Sequence, residues 1–190
     1  MRQPFHMKKR TGFTLIESLV AVTIITLAII GPLVTANRAV IAARTARDQL
    51  TASYLAQEGV EYVRALRDNG YLSAYRSNSA TASSVGWTTF LTSVASCRTT
   101  TVGSAPFCSF DPEGSGSLNA CTGTCTPLWL AVNNVYTQTQ TMGSTATPFT
   151  RRVQTVSVNA TDEKIVSTVS WSYHGTTYTV TISDHLTPWQ

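Results

Sequence analysis

The sequence predicts an α+β fold, in which a long N-terminal α-helix packs on a small C-terminal antiparallel β-sheet. Residues 13–68 carry apolar side chains at helical spacing, and the first half of this stretch is apolar on every side. Residues 164–184 instead alternate apolar and polar side chains around a two-residue turn, which is typical of a β-hairpin. We therefore expect four segments, namely a leader (1–12), an apolar half-helix (13–36), an amphipathic half-helix (37–68) and a head (69–190).

The basic residues are concentrated in the leader. Charged residues make up only 13% of the chain, about half the usual share. Arg2, Lys8, Lys9 and Arg10 are four of the 14 basic residues, and the rest of the chain carries ten basic and ten acidic residues. A nucleic-acid-binding domain has a clustered basic face, and no such cluster follows the leader. The charge distribution therefore argues against nucleic acid as a partner.

The apolar half-helix is long enough to cross a membrane. Its 24 residues contain one ionisable group, Glu17, and would span roughly 36 Å against a hydrocarbon core of about 30 Å. Lys8, Lys9 and Arg10 directly precede it, so the positive-inside rule leaves the N-terminus in the cytoplasm and the head outside the cytoplasmic membrane. A secretory signal peptide or an uncleaved signal anchor has a similar pattern, and both remain alternatives.

Glu17 is the unexpected residue of this segment. A carboxylate inside a membrane helix costs about 2.5–3.5 kcal/mol on insertion scales and usually has a partner and a function. Glu17 follows Phe13 by four residues, about one helical turn. A cut just before Phe13 would create an α-amino group, which is the natural partner for this carboxylate.

A family resemblance lies in the ten residues Lys8-Lys9-Arg10-Thr11-Gly12-Phe13-Thr14-Leu15-Ile16-Glu17. They resemble the cleavage and methylation signature of type IV prepilins and type II secretion pseudopilins, in which a basic leader, Gly, Phe, Thr, Leu, Ile or Val, and Glu precede a long apolar helix. The resemblance implies cleavage between Gly12 and Phe13 by a prepilin peptidase, followed by N-methylation of Phe13. It also implies that Glu17 neutralises the Phe13 amine of a neighbouring subunit during assembly.

The same resemblance implies a pilin-like fold and a structural function, as a minor pilin or pseudopilin of a pilus, secretion or DNA-uptake machine. The expected partners are the prepilin peptidase, other pilin or pseudopilin subunits and an inner-membrane assembly platform. The protein would move from the membrane into an extracytoplasmic filament. A membrane-anchored surface adhesin or binding module that never polymerises is the alternative.

The pair Gly31-Pro32 interrupts the apolar half-helix. Proline inside a helix removes one hydrogen bond and costs about 3 kcal/mol unless the surroundings compensate. Pilin-like proteins often carry a helix-breaking residue in this part of the segment, so the resemblance implies a kink that loosens on assembly. A proline kink without function is the alternative.

The amphipathic half-helix is predicted to cover the sheet. Asp68-Asn69-Gly70 is a good helix stop, because glycine accepts the left-handed cap conformation. The stretch Ala52–Leu66 also resembles, more loosely, the second half of the long pseudopilin helix. A coiled-coil stalk is the alternative, although Gln57 and Gly59 interrupt its seam. The apolar stripe consists of Ala39, Ala43, Ala46, Leu50, Tyr54, Val60, Val63 and Leu66.

The C-terminal hairpin is the clearest element of the head. Its strands, Ile165–Tyr173 and Thr176–Ser183, flank the turn signal His174-Gly175. Pairing across that turn puts Trp171 opposite Tyr178 and Val169 opposite Val180, on one apolar face with Ile182. We expect Arg152–Asn159 as a third strand and the long helix as the cover of the apolar face. The hairpin also resembles the C-terminal strands of pseudopilin-like heads.

Four cysteines lie in the middle of the head, at positions Cys97, Cys108, Cys121 and Cys125. An even number on an exported segment indicates two disulfides, with three possible connectivities. We favour the sequence-local pairs Cys97–Cys108 and Cys121–Cys125. A zinc site is the alternative, but the spacing lacks paired C-x2-C ligands and a nearby histidine. We expect no metal and no other cofactor.

The remaining patterns of the head are weaker. Trp87, Phe90 and Leu91 indicate a short packed element, and Leu128–Tyr136 indicates a strand. Arg151-Arg152 is expected at a solvated strand start. Asp111-Pro-Glu113-Gly is interpreted as a turn rather than a calcium loop, since it lacks EF-hand spacing. No Gly-x-Ser-x-Gly elbow accompanies the many serines, so we expect no catalytic activity.

Overall fold

A computed structural model describes residues 12, 14–114 and 116–189 of the chain. The chain divides into two compact units, residues 1–47 and 48–190. The described helices are α1 (Leu15–Ser77) and α2 (Ala82–Ser93), with short 3-10 turns at Ser79–Thr81 and Ala95–Cys97. The described strands are β1 (Arg98–Thr99), β2 (Cys108–Ser109), β3 (Asn119–Ala120), β4 (Trp129–Leu130), β5 (Tyr136–Thr137), β6 (Thr145–Ala146), β7 (Thr150–Asn159), β8 (Asp162–Tyr173) and β9 (Thr176–Leu186).

The predicted architecture is confirmed: a long N-terminal apolar helix is followed by antiparallel sheet, and the later part of that helix packs on it. In the first unit, α1 continues through Gly31 and Pro32 without a break in its helical assignment. Thr35 donates its hydroxyl to the carbonyl oxygens of Gly31 at 3.3 Å and Pro32 at 2.9 Å. The helix therefore continues past the proline, and the Thr35 hydroxyl bonds to the turn that contains Gly31 and Pro32.

The predicted helix stop at Asp68-Asn69-Gly70 is wrong, because α1 continues to Ser77. Gly70 is buried within the helix, and a Cβ there would meet the carbonyl oxygen of Gly86 in α2 at 3.0 Å. A Cβ on Gly86 would in turn lie 2.7 Å from the Cα of Tyr71. Both glycines are therefore explained by the close approach of two helices rather than by a helix cap.

The stripe of α1 that covers the sheet differs in part from the predicted one. Val60 and Val63 are buried as expected, whereas Leu50 and Tyr54 are 57% and 63% exposed. The contact surface is instead built largely from small residues, which let the helix backbone approach the strands closely. The buried residues of α1 are Ala52, Leu55, Ala56, Gly59, Val60, Val63, Gly70 and Ala74.

Within the described part of the chain, the main sheet has six strands, with β3, β2, β7, β8 and β9 in spatial order. β7 and β8 pair antiparallel, as do β8 and β9, and these three strands are much longer than the rest. The short strands β1 and β2 both pair with β7, β1 in parallel and β2 antiparallel. The third strand expected at Arg152–Asn159 is therefore confirmed as β7.

The predicted hairpin is also confirmed. Trp171 lies opposite Tyr178 and Val169 opposite Val180, and the rings of Trp171 and Tyr178 stack at 5.6 Å. His174 and Gly175 adopt positive φ values of 50° and 80°, as a two-residue turn with the twist of the strands requires. The pairing brings the apolar side chains of both strands to the face that α1 covers.

The middle of the head contains smaller elements than the sequence suggests. Leu128–Tyr136 does not form one strand: β4 and β5 pair antiparallel, and β6 pairs with β4 on its other side. Asn134 turns the chain with φ of 64°, a conformation that asparagine tolerates better than most residues. Trp87 and Phe90 are buried on α2, so the short packed element expected around them is confirmed as a helix.

The core of the head consists of two clusters between α1 and the sheet. One joins α1 and α2 to the central strands and includes Val63, Phe90, Val153 and Ile165. The other joins the start of this part of α1 to the hairpin and the β4 region, and includes Leu55, Leu128 and Trp171. Together they hold the later part of α1 against the sheet.

Candidate functional site

The candidate site is the start of α1 with the residues that precede it. The predicted leader residues Lys8, Lys9 and Arg10 and the predicted methylation site Phe13 lie outside the described residues. Gly12 is exposed and precedes the helix, which begins at Leu15. A Cβ on Gly12 would meet nothing within 4 Å among the atoms described.

Thr14 caps the helix. Its hydroxyl oxygen accepts a hydrogen bond from the backbone N–H of Glu17 at 3.3 Å, and its carbonyl accepts one from Ser18 at 3.2 Å. The spacing Thr-x-x-Glu is that of a capping box, in which a threonine satisfies a free N–H of the first turn. This cap was not among the predicted features, although the Thr14-x-x-Glu17 spacing alone indicates it.

Glu17 lies in the first turn of α1 and its side chain is exposed. Carboxylates are favoured at this end of a helix, because the unpaired N–H groups there carry a partial positive charge. Among the residues that the structure describes, Glu17 forms no ion pair. The carboxylate therefore lies in the first turn of α1, where it can accept a cationic partner from outside the described part of the chain.

The apolar residues before and after Glu17 are exposed around the whole helix. Leu15 and Ile16 are 83% and 72% exposed, and Leu27 is 72% exposed. α1 is long and apolar enough to cross a membrane by length and composition, and none of its most apolar 18-residue window is buried within the structure. Such a surface needs a partner environment, either lipid or other helices, because exposing it to water is unfavourable.

This N-terminal segment matches a known family motif. Residues 7–31 match the family described as "Prokaryotic N-terminal methylation motif". The matched stretch includes Gly12, Phe13 and Glu17. The chain therefore carries a type IV pilin-like prepilin signature, and that class of protein is structural rather than enzymatic. The signature and the apolar helix both fit anchoring in a membrane. No curated protein and no solved structure matches the chain.

The structure pairs the four cysteines as two disulfides, Cys97–Cys108 and Cys121–Cys125, with Cα–Cα distances of 5.5 Å and 5.0 Å. These are the sequence-local pairs favoured above. Cys97 directly precedes β1 and Cys108 begins β2, and both strands lie along the same side of β7. The first disulfide therefore fixes two very short strands against a long one.

The prediction that Arg151 lies at a solvated strand start is wrong. Arg151 is 0% exposed and forms an ion pair with Glu58 of α1. Its guanidinium lies 3.7 Å from the ring centroid of Phe110, which stacks on Tyr62 at 4.0 Å, and it donates to the Phe110 carbonyl oxygen at 3.3 Å. Arg152 is exposed, as expected.

The buried arginine connects α1 to the sheet. Burial lowers the pKa of Arg151, and the nearby Glu58 carboxylate opposes that shift. Burial raises the pKa of the neighbouring Tyr62 hydroxyl, because it disfavours the charged form of both groups. Period-2 alternation in β7 places Arg151 on the face of Val153, toward the helix that carries Glu58. The sequence alone does not show which face of β7 meets α1, so the alternation identifies Arg151 only once that face is known.

A second ion pair holds β1 to the hairpin. Glu163 of β8 is 0% exposed, and Arg98 donates to its Oε1 from both Nε at 2.9 Å and Nη2 at 2.5 Å. Hydrogen bonding to Glu163 raises the pKa of Arg98. Nη2 of Arg98 also donates to the Ser157 hydroxyl at 2.8 Å. Like the adjacent Cys97–Cys108 disulfide, this ion pair fixes β1, which is too short to be stable alone.

The segment interpreted above as a turn rather than a calcium loop is a turn in the structure. The N–H of Gly114 donates to the Asp111 carbonyl at 3.0 Å, and the N–H of Glu113 donates to the Asp111 carboxylate at 3.3 Å. Within the described ranges, no group of three or more His, Cys, Asp or Glu side chains could hold a metal ion.

Proposed function

We propose that this protein is a minor pilin or pseudopilin, a structural subunit of a type IV pilus-like filament or a type II secretion pseudopilus. A prepilin peptidase cuts it after Gly12 and methylates the new amine of Phe13. The head faces the outside of the cytoplasmic membrane, and the processed chain leaves the membrane for an extracytoplasmic filament through an assembly platform.

One observation carries this proposal. The methylation motif at residues 7–31 runs directly into a helix whose apolar side chains are exposed on all sides, with Glu17 in its first turn. An ordinary membrane anchor needs the apolar helix but not the carboxylate, which costs free energy in lipid. A filament subunit uses both, since its helix leaves lipid and packs among other helices.

Glu17 supports the assembly step through its electrostatics. After the cut, the Phe13 amine would lie at the positive end of α1, where a cation is unfavourable. A carboxylate from a neighbouring helix compensates this charge and removes its own burial cost at the same time. The pairing between subunits would also fix their axial register in the filament.

The test is intact mass measurement and N-terminal sequencing of the membrane-extracted chain, coexpressed with a prepilin peptidase. We expect a chain that begins at Phe13 and carries one added methyl group. The variant Gly12→Val should keep its leader, whereas the matched variant Gly31→Ala, which meets nothing within 4 Å, should be processed normally. A wild-type chain that still carries Lys8, Lys9 and Arg10 would refute the proposal and favour a non-polymerising anchored adhesin.

A further inference from the structure

β9 forms one edge of the main sheet. It has 11 residues, about 36 Å of strand at 3.3 Å per residue, and among the described strands it pairs with β8 alone. A strand edge presents a row of unpaired N–H and C=O groups, which can bind a further strand. Natural sheets usually block such edges with short strands, proline, lysine or bulges.

The turn of the hairpin determines which backbone groups of β9 are free. Tyr173 and Thr176 flank the two-residue turn, and such a turn closes with a hydrogen-bonded pair. Alternate residues from Thr176 onward therefore bond to β8, while the residues between them direct their N–H and C=O away from the sheet. These outward residues are Thr177, Thr179, Thr181 and Ser183.

The first eight residues of the edge formed by β9 carry none of these blocking features. Thr176–Ser183 contains no charged residue and no proline, and the register between β8 and β9 continues without a bulge. The other side of the sheet is different, because β1, β2 and β3 have two residues each. One side of the sheet is thus blocked by its short strands, and the other is open.

The apolar face beside this edge is incompletely covered. Val169 and Trp171 of β8 are buried at 0% and 4% exposure. Their neighbours Tyr178 and Val180 on β9, with Ile182, are only partly buried. A further strand beside β9 would place its own alternate side chains next to these three residues and complete the apolar layer.

We propose that β9 accepts an extended, uncharged segment of a partner protein as an additional strand of this sheet. The segment would alternate apolar and small polar side chains, to match the apolar stripe on one face of β9 and the threonines on the other. Main-chain hydrogen bonds provide affinity in this mode of recognition, and alternate side chains provide specificity.

A second copy of the chain does not fit this role. Copies cannot pair head to tail, because the two-residue strands on the opposite side offer no matching edge. Pairing of β9 with itself about a two-fold axis would point the Asp48 ends of the two helices in opposite directions. Because the apolar segment 13–36 lies N-terminal to Asp48 in both chains, anchoring of the two chains in one membrane disfavours that arrangement. This last step rests on the proposed function.

The test uses the full chain in detergent micelles and a fluorescent peptide with the sequence Thr176–Ser183, flanked by lysines for solubility. We expect the peptide to pair antiparallel with β9, with its Val180 opposite Val180 of the chain. In this register, Tyr178 of the peptide lies opposite Ile182 of the chain. We expect saturable binding by anisotropy and slower amide hydrogen exchange at Thr177, Thr179 and Thr181. The absence of saturable binding would overturn the proposal.

Two matched pairs of controls separate strand addition from non-specific contact. The N–H of Thr179 points away from β8 and forms no hydrogen bond to it. The variant Thr179→Pro removes this N–H and should weaken peptide binding about tenfold or more, whereas Thr179→Ala keeps the N–H and should not. A peptide N-methylated at the positions of Thr179 and Thr181 should likewise fail, and one methylated at Tyr178 and Val180 should bind. Equal binding within either pair would overturn the proposal, and the peptide pair needs no protein variant to fold.

Self-association is the remaining outcome. If the full chain dimerises in sedimentation experiments and Thr179→Pro abolishes the dimer, the occupant of the edge is a second copy and the partner-strand proposal is wrong. Peptide binding is independent of cleavage at Gly12. A failure of strand addition therefore leaves the proposed filament function untouched, and a failure of processing does not affect the peptide result.

Discussion

Gly59 of α1 lies directly against Ser167 of β8. A Cβ on Gly59 would come within 2.2 Å of the Ser167 Oγ, 3.0 Å of its Cβ and 3.2 Å of the Val153 Cγ2. The absence of a side chain at Gly59 therefore sets how closely the helix approaches the sheet. Both buried clusters of the head depend on this approach, since α1 contributes residues to each of them.

The variant Gly59→Ala should destabilise the head by about 1–3 kcal/mol, because overpacking forces backbone or side-chain shifts. Helix propensity alone would stabilise the variant by up to about 1 kcal/mol, so the sign of the change decides between the two effects. Chemical denaturation followed by tryptophan fluorescence measures it. Adding Ser167→Gly should restore part of the loss. A Gly59→Ala variant that is as stable as wild type, or more stable, would show that the contact is not tight.

Removing Glu58 should cost more stability than removing Arg151. Arg151 is 0% exposed and Glu58 is 38% exposed, so Glu58→Leu leaves a buried cation without its partner. We expect a loss of about 2–3 kcal/mol, below the 3–5 kcal/mol of a fully buried pair. Arg151→Met frees a carboxylate that reaches solvent and should cost about 1 kcal/mol. Equal losses in the two variants would contradict this asymmetry.

The disulfide Cys97–Cys108 should stabilise the head more than Cys121–Cys125. Its sequence separation is 11 against 4, and both of its cysteines are 0% exposed. Replacing the first pair by alanine should cost about 3 kcal/mol and the second about 2 kcal/mol, since loop-closure entropy rises with loop length. Thermal unfolding of the two double variants under oxidising conditions tests this order. A larger loss for the Cys121–Cys125 variant would contradict it.

The hairpin and the first half of the helix were predictable because each repeats one pattern over many residues. Trp171 and Tyr178 follow from period-2 alternation and a known turn, with no information from the rest of the chain. The end of α1 was not predictable in this way, because Gly70 is a good local stop and only the contact with Gly86 explains its place inside a helix. Arg151 is similar, because its environment depends on which side of β7 faces α1.

The middle of the head was the least predictable part for a related reason. β1 to β6 have two residues each, too few for any period to be visible. They are fixed by contacts outside their own sequence, such as the Cys97–Cys108 disulfide and the Arg98–Glu163 ion pair. In the candidate site, the motif around Gly12 and Glu17 is contiguous and was recognisable, and the Thr14-x-x-Glu17 spacing of the cap was visible in the sequence as well.

The ion pair between Arg64 and Asp184 should make stability depend on acid pH. The hydrogen bond from Arg64, at 2.6 Å, lowers the pKa of Asp184 from its ordinary value of 3.8. A carboxyl whose pKa is lower in the folded state stabilises the fold above its unfolded pKa, and this contribution disappears as the pH falls through the folded pKa. Because the Asp184 side chain is 39% exposed, we expect no more than about 1 kcal/mol.

The variant Asp184→Asn should therefore be less stable than wild type above about pH 5, with a difference that shrinks below about pH 4. Urea unfolding at a series of pH values measures this difference. Glu61→Gln is the matched control, because Glu61 contacts the same arginine at 2.5 Å but is 61% exposed. A difference for Asp184→Asn that stays constant down to about pH 2 would contradict the assigned pKa shift.

The variant Glu17→Ala should be processed after Gly12 but fail to enter filaments. Without the carboxylate, the cationic amine of Phe13 on a neighbouring subunit would be buried among apolar helices without a partner, at a cost of several kcal/mol. We expect at least about a tenfold lower amount in the sheared filament fraction, at unchanged membrane levels. Immunoblots of both fractions measure the ratio, with Thr23→Ala as a control at another exposed polar residue of α1. Normal incorporation of Glu17→Ala would show that this carboxylate does not pair with the amine, and the apolar helix alone would then have to drive assembly.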